Sequence, residues 1–277
     1  MQLIRFYKAC LVTGYGNKEP AGWELVYDSR AANPTNTEQR ICLRSADPTS
    51  TRTFYEIENA SNVPKIMGYA DWDSVSNQGL LRFHPTENRQ LIANNFNRWL
   101  VIANSKSVYV FTPYDKTSFA AAFFGDYLAF NRLDKNAILC AAQSSGTTAF
   151  APASTNGGNY SWGILANGLF SALNPCFMTS AGFGNRYYYR HYDYYYFEGG
   201  LKRYFKLPEL LGYQGSNPSG VTLLGYLPGL LDCPMSNQFD RQDDLVGYHD
   251  VDNQEIIEIN IFLAGKNFIN LSDWSMP

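Results

Sequence analysis

Two apolar runs joined by a short polar turn are the feature that most constrains the fold of this chain. The runs are Trp99–Ala103 and Val108–Thr112, and Asn104–Ser107 separates them. Runs of this length and composition around a four-residue polar turn are typical of a β-hairpin. Their apolar character predicts a central place in a sheet, which continues through Phe123–Phe130 and Ala137–Ala142 as a meander.

Short strand candidates also lie on both sides of this hairpin, separated by polar clusters. Near the end of the chain, apolar and polar residues alternate with a period of two, which places every second side chain on one face of a strand. The predicted strands are Trp23–Tyr27, Ile41–Arg44, Phe54–Glu58 and Glu255–Leu263.

The N-terminal segment Leu3–Val12 has apolar residues at helical spacing and stops at Gly14. This pattern predicts a short amphipathic helix. Because its apolar stripe is too short to stabilise itself, we expect the helix to dock onto its own sheet or into a neighbouring subunit. The sequence therefore predicts a mainly β fold of antiparallel sheets, sandwich-like or barrel-like, with this helix and long loops.

The chain length of 277 residues fits one β-rich domain over residues 1–277. Residues 143–160 are mostly Ser, Thr, Gly, Asn and Ala, which predicts an exposed loop or a boundary between two lobes. The aromatic fraction is 16%, carried by 20 Tyr and 18 Phe, and it favours strands and interfaces over helices.

The charge balance and hydropathy of the chain indicate whether nucleic acid or a membrane is an expected partner. Lys and Arg total 22 against 25 Asp and Glu, so we expect no basic surface for nucleic acid. No run of about 18 apolar residues occurs, so we expect no membrane insertion. The segment Met1–Val12 contains Arg5 and Lys8 within its apolar stretch, which is not the pattern of a secretory signal.

The five cysteines are scattered, odd in number and without CxxC pairing, which predicts mostly buried thiols formed in a reducing cytoplasm. They are Cys10, Cys42, Cys140, Cys176 and Cys233.

Residues that carry chemistry are sparse. The histidines His84, His191 and His249 have no second ligand at the spacing of a zinc site. The acidic stretch Asp243–Asp252 does not match an EF-hand, and we interpret it as a solvated loop rather than a cation site. We expect no catalytic residue, cofactor or metal, and no enzyme activity. Paired carboxylates that meet only in the fold remain an alternative.

The segment Arg186–Phe197 holds seven of the 20 tyrosines in one place. Packing on a sheet is the simpler interpretation, and a contact surface is the functional one, because tyrosine brings large area at small entropic cost. The candidate interface residues are Tyr187, Tyr188, Tyr189, Tyr192, Tyr194, Tyr195 and Tyr196.

Three blocks of the sequence resemble a known family. They are Ala9–Trp23, then Asn97–Phe111 followed by Phe123–Asp126, then Gly225–Leu231. Together they are similar, in order, to the pattern of proteins encoded in the tail-gene regions of tailed bacteriophages and prophages. The resemblance spans nearly the whole chain, and no block is a catalytic signature.

The resemblance implies a structural component of a phage particle, in the tail, baseplate or tail tip. Such a protein is assembled in the cytoplasm of the host bacterium and acts through contacts with other virion proteins. The Tyr-rich segment and the short N-terminal helix favour a homo-oligomer, because both need a surface to pack against. The alternatives are a receptor-binding or carbohydrate-binding tip or fibre protein, which would contact a host receptor or glycan, and a head decoration or neck protein.

Overall fold

The structure is a computed structural model, and within it the chain is mainly β, as the sequence predicts. No helix among the described residues is both long and apolar enough to cross a membrane. The structure describes residues 2–35, 39–60, 63–82, 100–113, 119–130, 137–143, 160–166, 169–171, 175–178, 207–214, 221–233, 246–251, 254–261, 265–272 and 274.

The elements begin with helix α1 (Gln2–Lys8), a π-helical segment (Ala9–Thr13) and helix α2 (Ser29–Ala32). The strands, in chain order, are β1 (Trp23–Asp28), β2 (Gln39–Ser45), β3 (Phe54–Ala60), β4 (Val63–Asp73), β5 (Gln78–Arg82), β6 (Leu100–Ala103), β7 (Ser107–Pro113), β8 (Phe119–Asp126), β9 (Leu128–Ala129), β10 (Ile138–Gln143), β11 (Tyr160–Ala166), β12 (Leu169–Ser171), β13 (Pro175–Met178), β14 (Leu207–Gln214), β15 (Val221–Cys233), β16 (Val246–Val251), β17 (Gln254–Ile261) and β18 (Gly265–Asn270).

The described strands form three antiparallel sheets. In sheet one, β1 to β5 lie side by side in chain order. Sheet two has the order β12-β11-β10-β8-β7-β6. Sheet three has the order β13-β14-β15-β18-β17-β16, and the short strand β9 also pairs with β15. Because β9 directly follows β8, the chain passes from sheet two to sheet three within two residues.

The predicted hairpin is confirmed, since β6 and β7 pair antiparallel with Ala103 opposite Val108. Its predicted central position is wrong for one of the two strands. β7 lies between β6 and β8, whereas β6 is the last strand in the described order of sheet two. The physical reason is visible in β6 itself, where Ile102 is buried and the other three residues are only partly buried.

Sheets one and two share one core, as in a sandwich, and the N-terminal helix lies in it. Ile4, Tyr7 and Leu11 are buried in a cluster with residues of both sheets. The helix therefore docks onto its own sheets, which selects one of the two expected alternatives. Other members of this cluster are Trp23, Ile41, Leu43, Tyr55, Ile57, Ile66, Val108, Val110, Ala122, Phe124, Ile138 and Cys140.

The end of the helix is fixed by polar contacts. Lys8 forms an ion pair of 2.5 Å with Asp28 at the end of β1. The carbonyl oxygen of Cys10 accepts a hydrogen bond of 3.0 Å from the amide of Ala21. Gly14 then ends the π-helical segment with a φ of 75°, a conformation that glycine adopts readily. The predicted stop at Gly14 is thus confirmed.

The interpretation of Asp243–Asp252 as a solvated loop is corrected in part. Residues 246–251 form strand β16, which pairs antiparallel with β17 from Val246 opposite Ile259 to Val251 opposite Gln254. The acidic residues hid the strand pattern in the sequence, whereas the backbone of this segment pairs with the strand that follows it in the chain.

Candidate functional site

The seven candidate interface tyrosines lie outside the described residues, so their predicted contact role stays a prediction. His84 and His191 also lie outside them. His249 lies in β16, where its backbone is opposite Ile256 of β17. The seven tyrosines are Tyr187, Tyr188, Tyr189, Tyr192, Tyr194, Tyr195 and Tyr196.

The structure does bring the three resembling blocks into contact with one another. One cluster joins the loop between β2 and β3 to the β6–β7 turn and to the end of β8. We call it the Asp126 junction. Its members are Ser45, Asp47, Thr49, Thr51, Ser105, Lys106, Ser107 and Asp126.

Asp126 contacts the β2–β3 loop through its side chain and the β6–β7 turn through its backbone. The amide of Thr51 donates to Oδ2 of Asp126 at 2.9 Å, and the Thr51 hydroxyl donates to Oδ1. The backbone amide of Asp126 donates to the Lys106 carbonyl at 3.0 Å, and Ser107 Oγ donates to the Asp126 carbonyl at 2.6 Å. Asp126 thus holds the β2–β3 loop against the β6–β7 turn.

Asp47 adds a second set of contacts between the same loop and turn. Its Oδ1 accepts from the amide of Thr49 at 2.8 Å and from the Thr49 hydroxyl at 2.7 Å. Its Oδ2 accepts from Ser105 Oγ at 2.9 Å and lies 3.9 Å from Lys106 Nζ. Hydrogen bonds from Thr49 therefore lower the pKa of the Asp47 carboxyl below its ordinary value.

Gly125, in the third position of Phe123–Asp126, allows the close approach at the junction. Its φ is 126°, and a Cβ atom at this position would lie 2.2 Å from the carbonyl oxygen of Lys106. A side chain of any kind is therefore excluded by both backbone conformation and space. The glycine of this block has a packing function.

Trp23 connects the first block with the second. Its indole Nε1 donates a hydrogen bond of 2.8 Å to the carbonyl oxygen of Asn104, in the β6–β7 turn. Its ring packs edge-on against Tyr55 and Phe124, with centroids 5.9 Å and 5.5 Å away. The side-chain Oδ1 of Asn104 accepts hydrogen bonds from the backbone amides of Lys106 and Ser107, and these bonds stabilise the turn that Trp23 contacts.

Tyr109 connects the second block with the third, and so sheet two with sheet three. Its buried hydroxyl donates a hydrogen bond of 2.8 Å to the carbonyl oxygen of Pro228. Its ring packs edge-on against Trp274 at 5.5 Å. The following Gly229 has a φ of 68°, and a Cβ there would lie 2.9 Å from Trp274. The Pro-Gly pair thus brings β15 close to Tyr109.

A second surface lies on the face of sheet one that points away from the shared core. Here the guanidinium of Arg40 lies 5.0 Å from the ring centroid of Tyr27, and that of Arg44 lies 5.3 Å from Phe54. Trp72, near the end of β4, packs against both rings, at 6.1 Å and 6.4 Å. The aromatic faces are thus already in contact with residues of this chain.

The β4–β5 hairpin covers this outer face. Besides the contacts of Trp72, Arg40 donates a hydrogen bond of 2.9 Å to the carbonyl oxygen of Asn77, in the turn of the hairpin. The ring of Tyr69 lies so close to Gly79 that a Cβ there would be 2.3 Å from it. Cys42, which alternates with core residues of β2, is consequently fully buried although it faces outward.

The outward side of the hairpin carries exposed apolar residues. Val75, at the turn, is 90% exposed, and Leu81, with an unusual φ of 53°, is 63% exposed. Asp73 holds the turn by accepting from the Val75 amide at 2.8 Å and from Ser76 Oγ at 2.6 Å. These two hydrogen bonds stabilise the turn that carries the exposed Val75 side chain.

The titratable groups of the described residues do not gather into a cluster of three or more metal-binding side chains. Cys10, Cys42 and Cys140 are thiols, as the sequence predicts, whereas the side chains of Cys176 and Cys233 are outside the description. Burial raises the pKa of the Cys10 thiol to about 11 and that of Cys42 higher still. Neither thiol is an activated nucleophile.

Asp126 and Trp23 lie within the resembling blocks, but no local pattern in the sequence predicts their contacts or a role for Thr51, Asp47 and Arg40. The contact between Thr51 and Asp126 spans 75 residues, and polar residues in a loop carry no local signal for such a partner. A local signal for Asp126 is the glycine before it, because a glycine within a strand often marks a close approach of another backbone.

No known family model matches the chain, and no curated protein sequence matches it.

Proposed function

We propose that this protein is a structural component of a tailed bacteriophage particle, placed in the tail, baseplate or tail tip, and that it acts by assembling with other virion proteins and with copies of itself. It is formed in the cytoplasm of the bacterial host and ends in the virion. The proposal gives it no catalytic step and no cofactor.

The observation that supports the proposal best is the use that the fold makes of the resembling blocks. Trp23 and Asn104 join the first block to the second, Gly125 and Asp126 fix the same turn, and Tyr109 reaches the third block at Pro228. Residues with these contacts determine a shape. Motifs that maintain a shape are what an assembly protein requires, whereas an enzyme family would be expected to share reactive side chains.

The Tyr-rich segment supplies the proposed assembly contact. If residues 187–197 alternate along strands, about half of the rings lie on each face, and one core cannot easily bury them all. The surplus rings would then form an apolar patch larger than monomers usually expose, so contact with a neighbouring subunit is favoured. In sheet one, by contrast, the outward rings are covered by Trp72, Arg40 and Arg44 of the same chain.

The proposal is tested on particles released by the bacterium or phage that encodes the gene. Particles are purified on a density gradient and their proteins are quantified by mass spectrometry. We expect the chain in a fixed ratio to the major tail protein, and particles from a gene deletion should lack complete tails. Intact, infectious particles without the chain would contradict the proposal.

The contact segment is tested separately by replacing Tyr188, Tyr192 and Tyr194 with Ser. We expect a smaller solution mass, or loss from the particle, with an unchanged circular dichroism spectrum. Tyr15 is the matched control, because it is exposed in a turn that is distant in sequence from residues 187–197. Its replacement by Ser should leave the solution mass unchanged. If the variant instead assembles normally but loses binding on a glycan array, the segment contacts a host glycan, and the receptor-binding alternative replaces the assembly role.

A further inference from the structure

The carboxylate of Asp126 is partly buried and, within the described residues, its hydrogen bonds come from uncharged donors. These are the amide and the hydroxyl of Thr51. In the same part of the chain no Lys or Arg nitrogen forms an ion pair with it, because Lys106 Nζ approaches Asp47 instead, at 3.9 Å. An ionised carboxylate that is partly removed from water without a paired cation is destabilised.

The charged and titratable groups around Asp126 come from three elements. The β6–β7 turn contributes Lys106, which favours the ionised form, and the β2–β3 loop contributes Asp47, which opposes it. Arg52 of the same loop is directed to Glu24, 3.2 Å away. In β3, the phenol of Tyr55 senses the charge of Asp126. Burial outweighs the favourable contacts and raises the pKa of the Asp126 carboxyl.

We propose that Asp126 is a proton-dependent latch that holds the β2–β3 loop more tightly when its carboxyl group is protonated. On protonation, a proton from solvent binds one carboxylate oxygen. The other oxygen still accepts from the Thr51 amide, and the new O–H donates to Thr51 Oγ, whose own proton turns away. The contacts are retained and the buried charge is removed.

The direction of the pH effect follows from this exchange. In the closed state Thr51 contacts Asp126, and in the open state the β2–β3 loop has moved away and the carboxyl group is in water. Since the pKa of Asp126 is raised in the closed state, that state binds the proton more tightly than the open one. The stabilisation is fully present below the ordinary pKa of aspartate, about 3.9, and is lost as the pH rises through the raised pKa. Asp47 should behave oppositely, because its pKa is lowered and its stabilisation is lost as the pH falls.

The test uses hydrogen exchange of the Thr51 amide in the full chain, corrected for the intrinsic effect of pH. In the unmodified protein, protection should rise as the pH falls from about 7 toward 4, by about tenfold for each unit that separates the closed-state and open-state pKa values. In Asp126→Asn, the side-chain amide imitates the protonated form. In this variant the protection of the Thr51 amide should be high and independent of pH between about 7 and 4.

Asp47→Asn is the matched control, since it removes a carboxylate from the same junction. It should retain the rise in Thr51 protection on acidification. The ¹³C chemical shift of the Asp126 carboxyl, followed against pH in the unmodified protein, gives a reading that needs no variant. A midpoint at or below the ordinary value, or the same pH dependence of Thr51 protection in Asp126→Asn as in the unmodified protein, would overturn the latch.

Discussion

Gly125 illustrates how one residue type decides whether two distant parts of this chain can meet. Its positive φ turns the backbone so that the following Asp126 reaches Thr51, and its missing Cβ leaves room for the Lys106 carbonyl. Gly16 also has a positive φ, of 55°, but nothing lies within 4 Å of a Cβ built there. Comparing Gly125 with Gly16 therefore distinguishes the cost of an unfavourable backbone conformation from the cost of a steric clash.

We expect Gly125→Ala to lower the free energy of unfolding by about 3 kcal/mol, because conformational strain and a clash with backbone act together. Gly16→Ala should lower it by about 1 kcal/mol, from conformation alone. Urea denaturation followed by tryptophan fluorescence measures both values. Equal losses in the two variants would show that the close approach to Lys106 contributes nothing.

Among the elements, the two hairpins show what the sequence could and could not reveal. The β6–β7 hairpin was predictable because its apolar runs and its Asn-Ser-Lys-Ser turn give strong local signals. β4 and β5 were missed, because Pro64, Lys65 and Gly68 interrupt the apolar pattern and the turn around Val75 holds neither Gly nor Pro. That hairpin is stabilised instead by distant partners, Tyr27 and Arg40, which local patterns do not encode.

The β4–β5 hairpin should protect Cys42 from thiol reagents, since it covers the outer face where Cys42 is buried. In Trp72→Ala we expect Cys42 to be modified at least about tenfold faster, which corresponds to a loss of about 1.4 kcal/mol in local stability. The rate is measured by iodoacetamide labelling and peptide mass spectrometry.

Cys140 is the internal control of that experiment. It lies in the core shared by sheets one and two, to which β4 contributes Ile66 but not Trp72. If Cys140 is modified faster by the same factor as Cys42, the substitution has loosened the whole sandwich, and the hairpin is not a separate cover.

In the whole molecule, sheet two is a middle layer, because its strand β7 contacts both neighbours. Val108 and Val110 point into the core with sheet one, whereas Tyr109 packs on Trp274 and bonds to Pro228 on the other side. The sequence predicted a mainly β fold correctly, but not this layering. Alternation in β7 is masked there, since both faces of the strand are apolar.

The N-terminal helix belongs to the same core, which predicts that it is needed for folding. We expect Ile4→Asp to lower the free energy of unfolding by about 3 to 5 kcal/mol, a large part of the total for a typical domain. The neighbouring Arg5 is exposed, and Arg5→Asp should change it by less than about 0.5 kcal/mol.

Thermal denaturation followed by circular dichroism compares the two variants, and light scattering gives their masses. A helix that served only as an arm for a neighbouring subunit would behave differently. Ile4→Asp would then change the mass of the assembly while the melting temperature stayed the same.

The exposed, hydrogen-bonded turn at Val75 has a practical consequence for imaging. Its side chain is almost fully accessible, its backbone is held by Asp73, and the described thiols are buried or weakly reactive at neutral pH. A cysteine introduced by Val75→Cys would accept a maleimide-linked gold cluster at a fixed distance from the sandwich. Under the proposed virion role, electron micrographs of labelled particles would then report the position of the chain and the number of its copies.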